Sequence, residues 1–399
     1  MNHRFFSKRL HIRVSLLVHF KKYPVLFISG FLAIISCFIV PPDAQYFSYI
    51  NFRVLGLLFC LMGIVAGMKE AGAFDLLSNA LLKKTGSLKT LVFALVALCF
   101  FLSMFLTNDV ALVTVVPFTI LVFGNIETVC PGAKKSLCLT LALETVSANL
   151  GSMLTPIGNP QNLYLFSQYE MSLSEFLKLT APYTILSFAI LSMLSLTLVK
   201  KMKIENAEGG EKSAQPQNDS KEIKSDSITL SKSFYIYLAL FVLALLTVAR
   251  VIHWIPLLVV VAAVIFFQNK KLFMKIDFAL LVTFVFFFVF VGNMGRIPSV
   301  NSLLAKLIEG REVLVAVCAS QIISNVPAAL LLSTFTTNGA ALVIGTNLGG
   351  LGTLVASMAS LITYKFCAPE EKGRYLLIFS VLNFAILAVL FGVYLALKL

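Results

Sequence analysis

Leu154–Asn162 reads LTPIGNPQN and interrupts a stretch otherwise apolar enough to cross a membrane. Two prolines, a glycine, two asparagines, a glutamine and a threonine fall within these nine residues. Proline removes a backbone donor and clashes with the preceding turn, so no regular helix runs through such a run. Irregular backbone at membrane depth survives only where protein encloses it or where it lines a watery cavity. The run therefore predicts a helix broken inside the bilayer, its polar groups turned away from lipid.

The composition agrees. The chain has 399 residues, 58% of them hydrophobic and 13% charged. A soluble domain carries about 25% charged residues. Many long apolar runs exclude a soluble globule and predict an all-α polytopic membrane protein in contact with a lipid bilayer. Pro24 to Val40 follows a basic arm, but its length and the lack of an A-x-A site fit a retained span better than a signal peptide. The seven cysteines show no CxxC spacing and read as small packing residues, with neither a disulfide framework nor a metal site.

Spans are expected at 24–41, 53–68, 137–167 (interrupted), 178–199, 233–250, 254–268, 277–294, 340–364 (interrupted) and 375–398. Stretches 89–123 and 312–336 each carry a polar break and read as re-entrant hairpins. This gives nine crossings and two hairpins. With the N-terminus inside, 25 of the 32 Lys and Arg residues fall in inner loops, as the positive-inside rule requires. The net charge of +13 thus reports orientation and contact with anionic lipid, and no nucleic-acid partner is expected. The organisation is a basic cytoplasmic arm (1–23), a first membrane repeat (24–199), a polar cytoplasmic linker (200–232) and a second repeat (233–399). The C-terminus is placed outside the cell (inner) membrane.

The two halves carry matching motifs. Asn149-Leu150-Gly151 and Thr155 stand 198 residues before Asn347-Leu348-Gly349 and Thr353. Upstream of each lies a hydroxyl-Asn pair, Thr107-Asn108-Asp109 and Ser324-Asn325-Val326-Pro327. Each half therefore reads as a hairpin with hydroxyl-Asn at its tip, then a discontinuous helix. The charge-derived topology brings the two tips in from opposite faces, which is an inverted repeat.

Breaking a helix exposes N–H groups that favour an anion and C=O groups that suit Na+. Asn159-Pro160 is expected as an N-cap with proline at the first helical position, and Asn108 or Asp109, and Asn325, as caps in the hairpins. Gly151, Gly158, Gly349, Gly350 and Gly352 permit unwinding, while Thr155 and Thr353 offer hydroxyls. Gly63-x-x-x-Gly67 reads as a helix-packing contact. Asp109 could bind a coupling cation, carry a proton or merely cap; Glu144 could relay a proton or serve as an interior hydrogen-bond partner. Arg250, His253 and Trp254 look like interfacial anchors.

At these residues the sequence resembles the ion transporter superfamily, in its ArsB/NhaD-like permease branch, related to citrate and divalent anion/Na+ symporters. TNDVALVTVVPFTIL is similar to the branch's hairpin motif, NLGSMLTPIGNPQNL to its first broken helix, and SNVPAALLL with TNLGG to its second half. The resemblance implies a site between two hairpins and two broken helices, in a homodimer with an elevator-like movement. It carries over Thr107, Asn108, Asp109, Ser324, Asn325 and Val326 at the hairpins, and Thr155, Gly158, Asn159, Pro160, Asn162, Asn347, Gly349 and Thr353 at the breaks. The symporters' Ser-Asn-Thr signature reads Thr-Asn-Asp and Ser-Asn-Val here, and LVASMAS replaces PIGNPQN in the second break.

The expectation is a secondary transporter of a small anion or anion-like solute, coupled to H+ or Na+. The sodium would lie near Asn108 and Asn325. Na+/H+-type cation–proton antiport is the alternative. There is no HExxH, GxSxG or GxxxxGK[ST], so neither an enzyme nor an ATP-driven pump is expected, and no cofactor.

Overall fold

The computed structural model describes residues 23–72, 86–129, 132–199, 202 and 232–397. Nearly all of the basic arm and of the polar linker lies outside the described residues. Every regular element among the described residues is helical.

Helices α1 (Pro24–Ile39) and α2 (Phe52–Glu70) lead into a hairpin of α3 (Leu88–Phe105) and α4 (Asn108–Val129). A discontinuous pair follows, α5 (Leu137–Gly151) and α6 (Pro160–Gln168), then α7 (Leu173–Leu198). The second half runs through α8 (Lys232–Val248), α9 (Trp254–Gln268), α10 (Phe278–Gly295) and α11 (Pro298–Ile308). A second hairpin, α12 (Glu312–Ile323) and α13 (Asn325–Leu332), precedes a second discontinuous pair, α14 (Gly339–Gly349) and α15 (Met358–Phe366). Helix α16 (Lys372–Leu397) closes the chain.

Local chemistry sets many of these starts. Asn51, Asp277 and Asn338 accept the N–H three residues on, and Ser87 with Thr90 forms a reciprocal capping box. The expected spans match the helices closely, but α11 forms in a stretch expected as an outer loop. Its apolar residues sit at helical spacing, with Leu303 and Leu307 largely exposed, which marks a short helix lying against the bundle rather than a span.

Helix α1 packs along α10, and α2 packs against α8 and α9. The Gly63/Gly67 reading holds as packing. A Cβ built on Gly63 falls 2.6 Å from the Ile265 Cδ1, and one on Gly67 falls 2.3 Å from the Tyr237 ring. Gly67→Leu is therefore expected to push α2 off α8 at a cost of about 1–3 kcal/mol. A lowered Tm by detergent thermal-shift assay checks this; an unchanged Tm would contradict the contact.

The two hairpins and broken helices interlock. Helix α3 packs on α5, and α12 on α14, each hairpin against the first half of its own broken helix. The second half of each broken helix crosses over: α6 packs on α13, and α15 on α4.

Several loop contacts join segments distant in sequence. The Leu88 N–H donates to Met202 O, Arg374 donates to Lys135 O, and Lys275 pairs with Glu70. Arg53 reaches Thr247 O, Arg296 pairs with Asp43, and Tyr169 donates to the carbonyls of Ser333 and Thr336.

Candidate functional site

The two breaks open and close at equivalent positions. Helix α5 ends at Gly151 and α14 at Gly349; α6 begins at Pro160 and α15 at Met358. The spacing of 198 is kept at both edges. Restarting the second helix does not need the missing proline, because Ser357 holds the extended N-cap backbone that Asn159 holds in the first.

Each hairpin tip docks on its break through the backbone. The Asn108 N–H donates to Gly158 O at 3.1 Å, and the Asn325 N–H to Ala356 O at 2.9 Å. Each threonine then braces the loop. Thr155 donates to Met104 O and accepts from the Gly158 N–H; Thr353 donates to Gln321 O and accepts from the Ala356 N–H. Gly151 and Gly349 let the half-helix ends press on the hairpins. A Cβ on Gly151 falls 2.2 Å from Phe100 O, and one on Gly349 falls 2.5 Å from Ser320 Oγ. At Gly158 a Cβ would fall 2.2 Å from Ser152 O.

Two asparagines tie the halves together. Buried Asn149 accepts from Asn108 Nδ2 at 2.9 Å and from Ser357 Oγ at 3.0 Å, and its own amide reaches Ser360 Oγ at 3.4 Å and Gly350 O at 3.5 Å. Buried Asn347 donates to Asn162 Oδ1 at 2.7 Å and to Val343 O at 2.8 Å. Asn162 and Ser360 stand 198 residues apart, so the exchange is reciprocal: each half's asparagine reaches the other half's broken helix.

Most expected site residues thus converge: Asn108, Asn149, Gly151, Thr155, Gly158, Asn159, Pro160 and Asn162 with Ser324, Asn325, Asn347, Gly349, Gly350 and Thr353. Thr107 sits half-buried at the first tip, its carbonyl accepting from the Ala111 N–H. Val326 joins the apolar packing and makes no polar contact.

The capping expectations need correction. Asn159 occupies the N-cap position but does not cap; its amide donates to Ser152 Oγ at 2.6 Å. Ser324, at φ +75°, takes the position expected of Asn325, which is already the first helical residue. Asn108 Oδ1 accepts only from the adjacent Asp109 N–H. Asn159 turns instead to Ser152 at the start of its own break, and Asn108 Nδ2 to Asn149 near the end of α5.

Asp109 is half-buried at the tip, and its carboxylate has no hydrogen-bond or ion-pair partner among the described residues. Glu144 is fully buried, accepts from Thr119 Oγ1 at 2.5 Å, and leaves Oε2 unpartnered. Arg250 does more than anchor: it donates to Glu170 O and Phe166 O and so satisfies carbonyls at the end of α6.

Four polar groups at the breaks are buried without partners among the described residues: Asn159 Oδ1, both amide atoms of Gln161, and Asn347 Oδ1. Orphaned buried polar atoms are costly, and a cluster of them in a native fold marks a place where solvent or solute belongs. Gln161, Ser152, Gln321, Ser357 and Ser360 were missed as site residues. The 198-residue offset held the signal for three of them, since it pairs Ser152 with Gly350, Asn159 with Ser357 and Asn162 with Ser360.

Comparison with known proteins decides the family. Residues 16–360 match the citrate transporter family. The chain belongs to that family. An uncharacterized transporter of Methanocaldococcus jannaschii is 35% identical over 369 residues, covering 92% of this chain and 95% of that one. The inner membrane protein YbiR of Escherichia coli is 28% identical, covering 79% and 80%. The crystal structure of the YdaH transporter from Alcanivorax borkumensis shares the fold, with a TM-score of 0.51 at 14% identity over 89% of this chain and 88% of that one. The resemblance to the ion transporter superfamily therefore stands, and the chain is a membrane transporter, not an enzyme.

Proposed function

We propose that this chain is a secondary active transporter that moves a small anion or anion-like solute across the cell's inner or plasma membrane, driven by an ion gradient. The observation that carries the reading is the reciprocal Asn149–Ser360 and Asn347–Asn162 exchange, together with buried polar atoms left unpartnered on Asn159, Gln161 and Asn347. A structural kink needs no such set. The unpartnered atoms mix a donor, Gln161 Nε2, with acceptors on Asn159, Gln161 and Asn347. A solute bearing both O–H groups and anionic or carbonyl oxygens satisfies that mixture. The start of α6, with its free N–H groups, favours the negative part.

In this reading the halves 24–199 and 233–399 are inverted repeats joined by the cytoplasmic linker, with the arm inside, the C-terminus outside and nine crossings. Individual loop contacts support it: Leu88–Met202, Arg374–Lys135 and Lys275–Glu70 each join segments assigned to the inner face, and Arg296–Asp43 joins segments assigned to the outer one. The likeness to the family supports a homodimer.

The test is uptake of radiolabelled citrate, phosphate and arsenite into proteoliposomes under imposed proton or sodium gradients. Gradient-driven accumulation of one of them, lost when an ionophore collapses the gradient and reduced about tenfold by Gln161→Leu, is expected. Absence of flux for the whole panel would count against the reading. A second reading, cation–proton antiport, is favoured by the unpaired Asp109 and by buried Glu144. It requires that Asp109→Asn or Glu144→Gln abolish pH-driven cation flux.

A further inference from the structure

The C-terminal end of a half-helix presents carbonyls that no turn of helix satisfies, and in broken-helix transporters such ends coordinate coupling cations. Both ends are already filled here by a side-chain amide. At the end of α5, Asn162 Nδ2 sits 3.2 Å from Ser152 O, 3.3 Å from Thr155 O and 3.5 Å from Met153 O. At the end of α14, Gln321 Nε2 sits 2.8 Å from Leu351 O and 3.0 Å from Gly349 O, with Val317 O of its own helix, α12, at 3.3 Å. One nitrogen thus lies among three carbonyl oxygens of the first break and against two of the second, where a small cation would otherwise sit.

The amide orientation is fixed by the other atom. Asn162 Oδ1 accepts from Asn347 Nδ2 at 2.7 Å, and Gln321 Oε1 accepts from the Thr353 N–H at 2.9 Å. Flipping either amide would turn an oxygen onto three carbonyls and an NH2 onto a donor. The nitrogens therefore face the carbonyls. Gly352, at φ +106°, makes room for the second of them: a Cβ there would fall 2.3 Å from Gln321 Oε1.

The two amides reach their breaks by different routes. Asn162 comes from the helix after its own break. Gln321 comes from the hairpin, where the first half has Met104, 217 residues earlier at the spacing that also relates Asn108 to Asn325. The two amides are therefore not equivalent positions of the repeat.

We infer that Asn162 and Gln321 are tethered replacements for coupling cations, so that this transporter runs without Na+ and its breaks stay neutral and filled when the solute leaves. The inference rests on the transport reading above and selects the proton, or solute exchange, over sodium as the coupling partner. Asn162 and Gln321 are in this sense the residues that set ion specificity.

The test uses the full-length protein in detergent at pH 8, with Tm measured in NaCl and in choline chloride at equal ionic strength. Wild type is expected to show the same Tm in both. Gln321→Glu and Asn162→Asp keep the shape and the acceptor but replace the NH2 with an anionic oxygen facing carbonyls, which creates a demand for a cation. Their Tm is expected to be lower in choline and to rise by about 3 °C or more in NaCl. A wild-type Tm that rises with Na+, or variants indifferent to it, overturns the inference. If the variants do not purify, the wild-type comparison decides, together with Na+ against choline in the uptake assay. The Tm readout needs no substrate, so failure of the anion panel would sink the transport reading without touching this result.

Discussion

Gly151→Ala should leave little folded protein to purify, whereas Gly349→Ala should be weakened yet recoverable. The two glycines hold equivalent positions, each the last residue of the half-helix before its break. What their added Cβ would meet differs. At Gly151 it falls 2.2 Å from the Phe100 carbonyl oxygen and 2.9 Å from the carbonyl carbon, and backbone inside α3 cannot move without moving the helix. At Gly349 it falls 2.5 Å and 2.7 Å from Oγ and Cβ of Ser320, a side chain, with Val317 Cα a tolerable 3.1 Å away. Overpacking a tight contact costs about 1–3 kcal/mol, and a clash against immovable backbone belongs above that range. Ser320→Gly should accordingly restore most of the Tm of Gly349→Ala. Ser103→Gly, which removes only the 2.5 Å neighbour at the first site, should restore little of Gly151→Ala. Fluorescence-detected size exclusion and a Tm series measure both. Equal stability of Gly151→Ala and wild type would show that α5 does not press on α3 as described.

Asn149→Leu should abolish transport while Ser360→Ala is tolerated. Asn149 receives Asn108 Nδ2 and Ser357 Oγ on one atom and donates across the repeat from the other. Leucine has similar size but leaves two buried donors without acceptors, each costing about 1–3 kcal/mol. At 1.4 kcal/mol per tenfold, that predicts a loss of roughly 100-fold in uptake at matched expression. Asn149→Asp keeps the acceptor and should fall between. Ser360 touches the Asn149 amide only at 3.4 Å, so Ser360→Ala should stay within about threefold of wild type, as expected for a long hydrogen bond. An Asn149→Leu variant with near-normal uptake would mean that the junction of the two broken helices is not the solute's path.

Much of this was legible in the chain. LTPIGNPQN demanded a break, because two prolines, a glycine and three amides packed into nine residues disfavour a continuous apolar helix, and the observed gap runs from Ser152 to Asn159. Repetition of Asn-Leu-Gly-x-x-x-Thr demanded a second break, and it opens after Gly349. Residue type at fixed spacing was sufficient there. It was not sufficient for the partners. Asn159 before Pro160 has the local signature of a cap, yet its amide goes to Ser152, and Asn162 fills the carbonyls instead. Gln321 carried no local signal at all: a lone glutamine in an apolar hairpin helix gains meaning only when α14 ends beside it.

The sequence by itself determined where helices run, where two of them must break and that the breaks are related, since backbone chemistry and hydropathy act locally and along the chain. Tertiary structure alone decided which side chain answers which exposed carbonyl. A side-chain amide finds whichever acceptor folding brings within about 3 Å: Asn162 finds the carbonyls of its own break, Gln321 those that end α14, and Asn347 the Asn162 side chain of the other half.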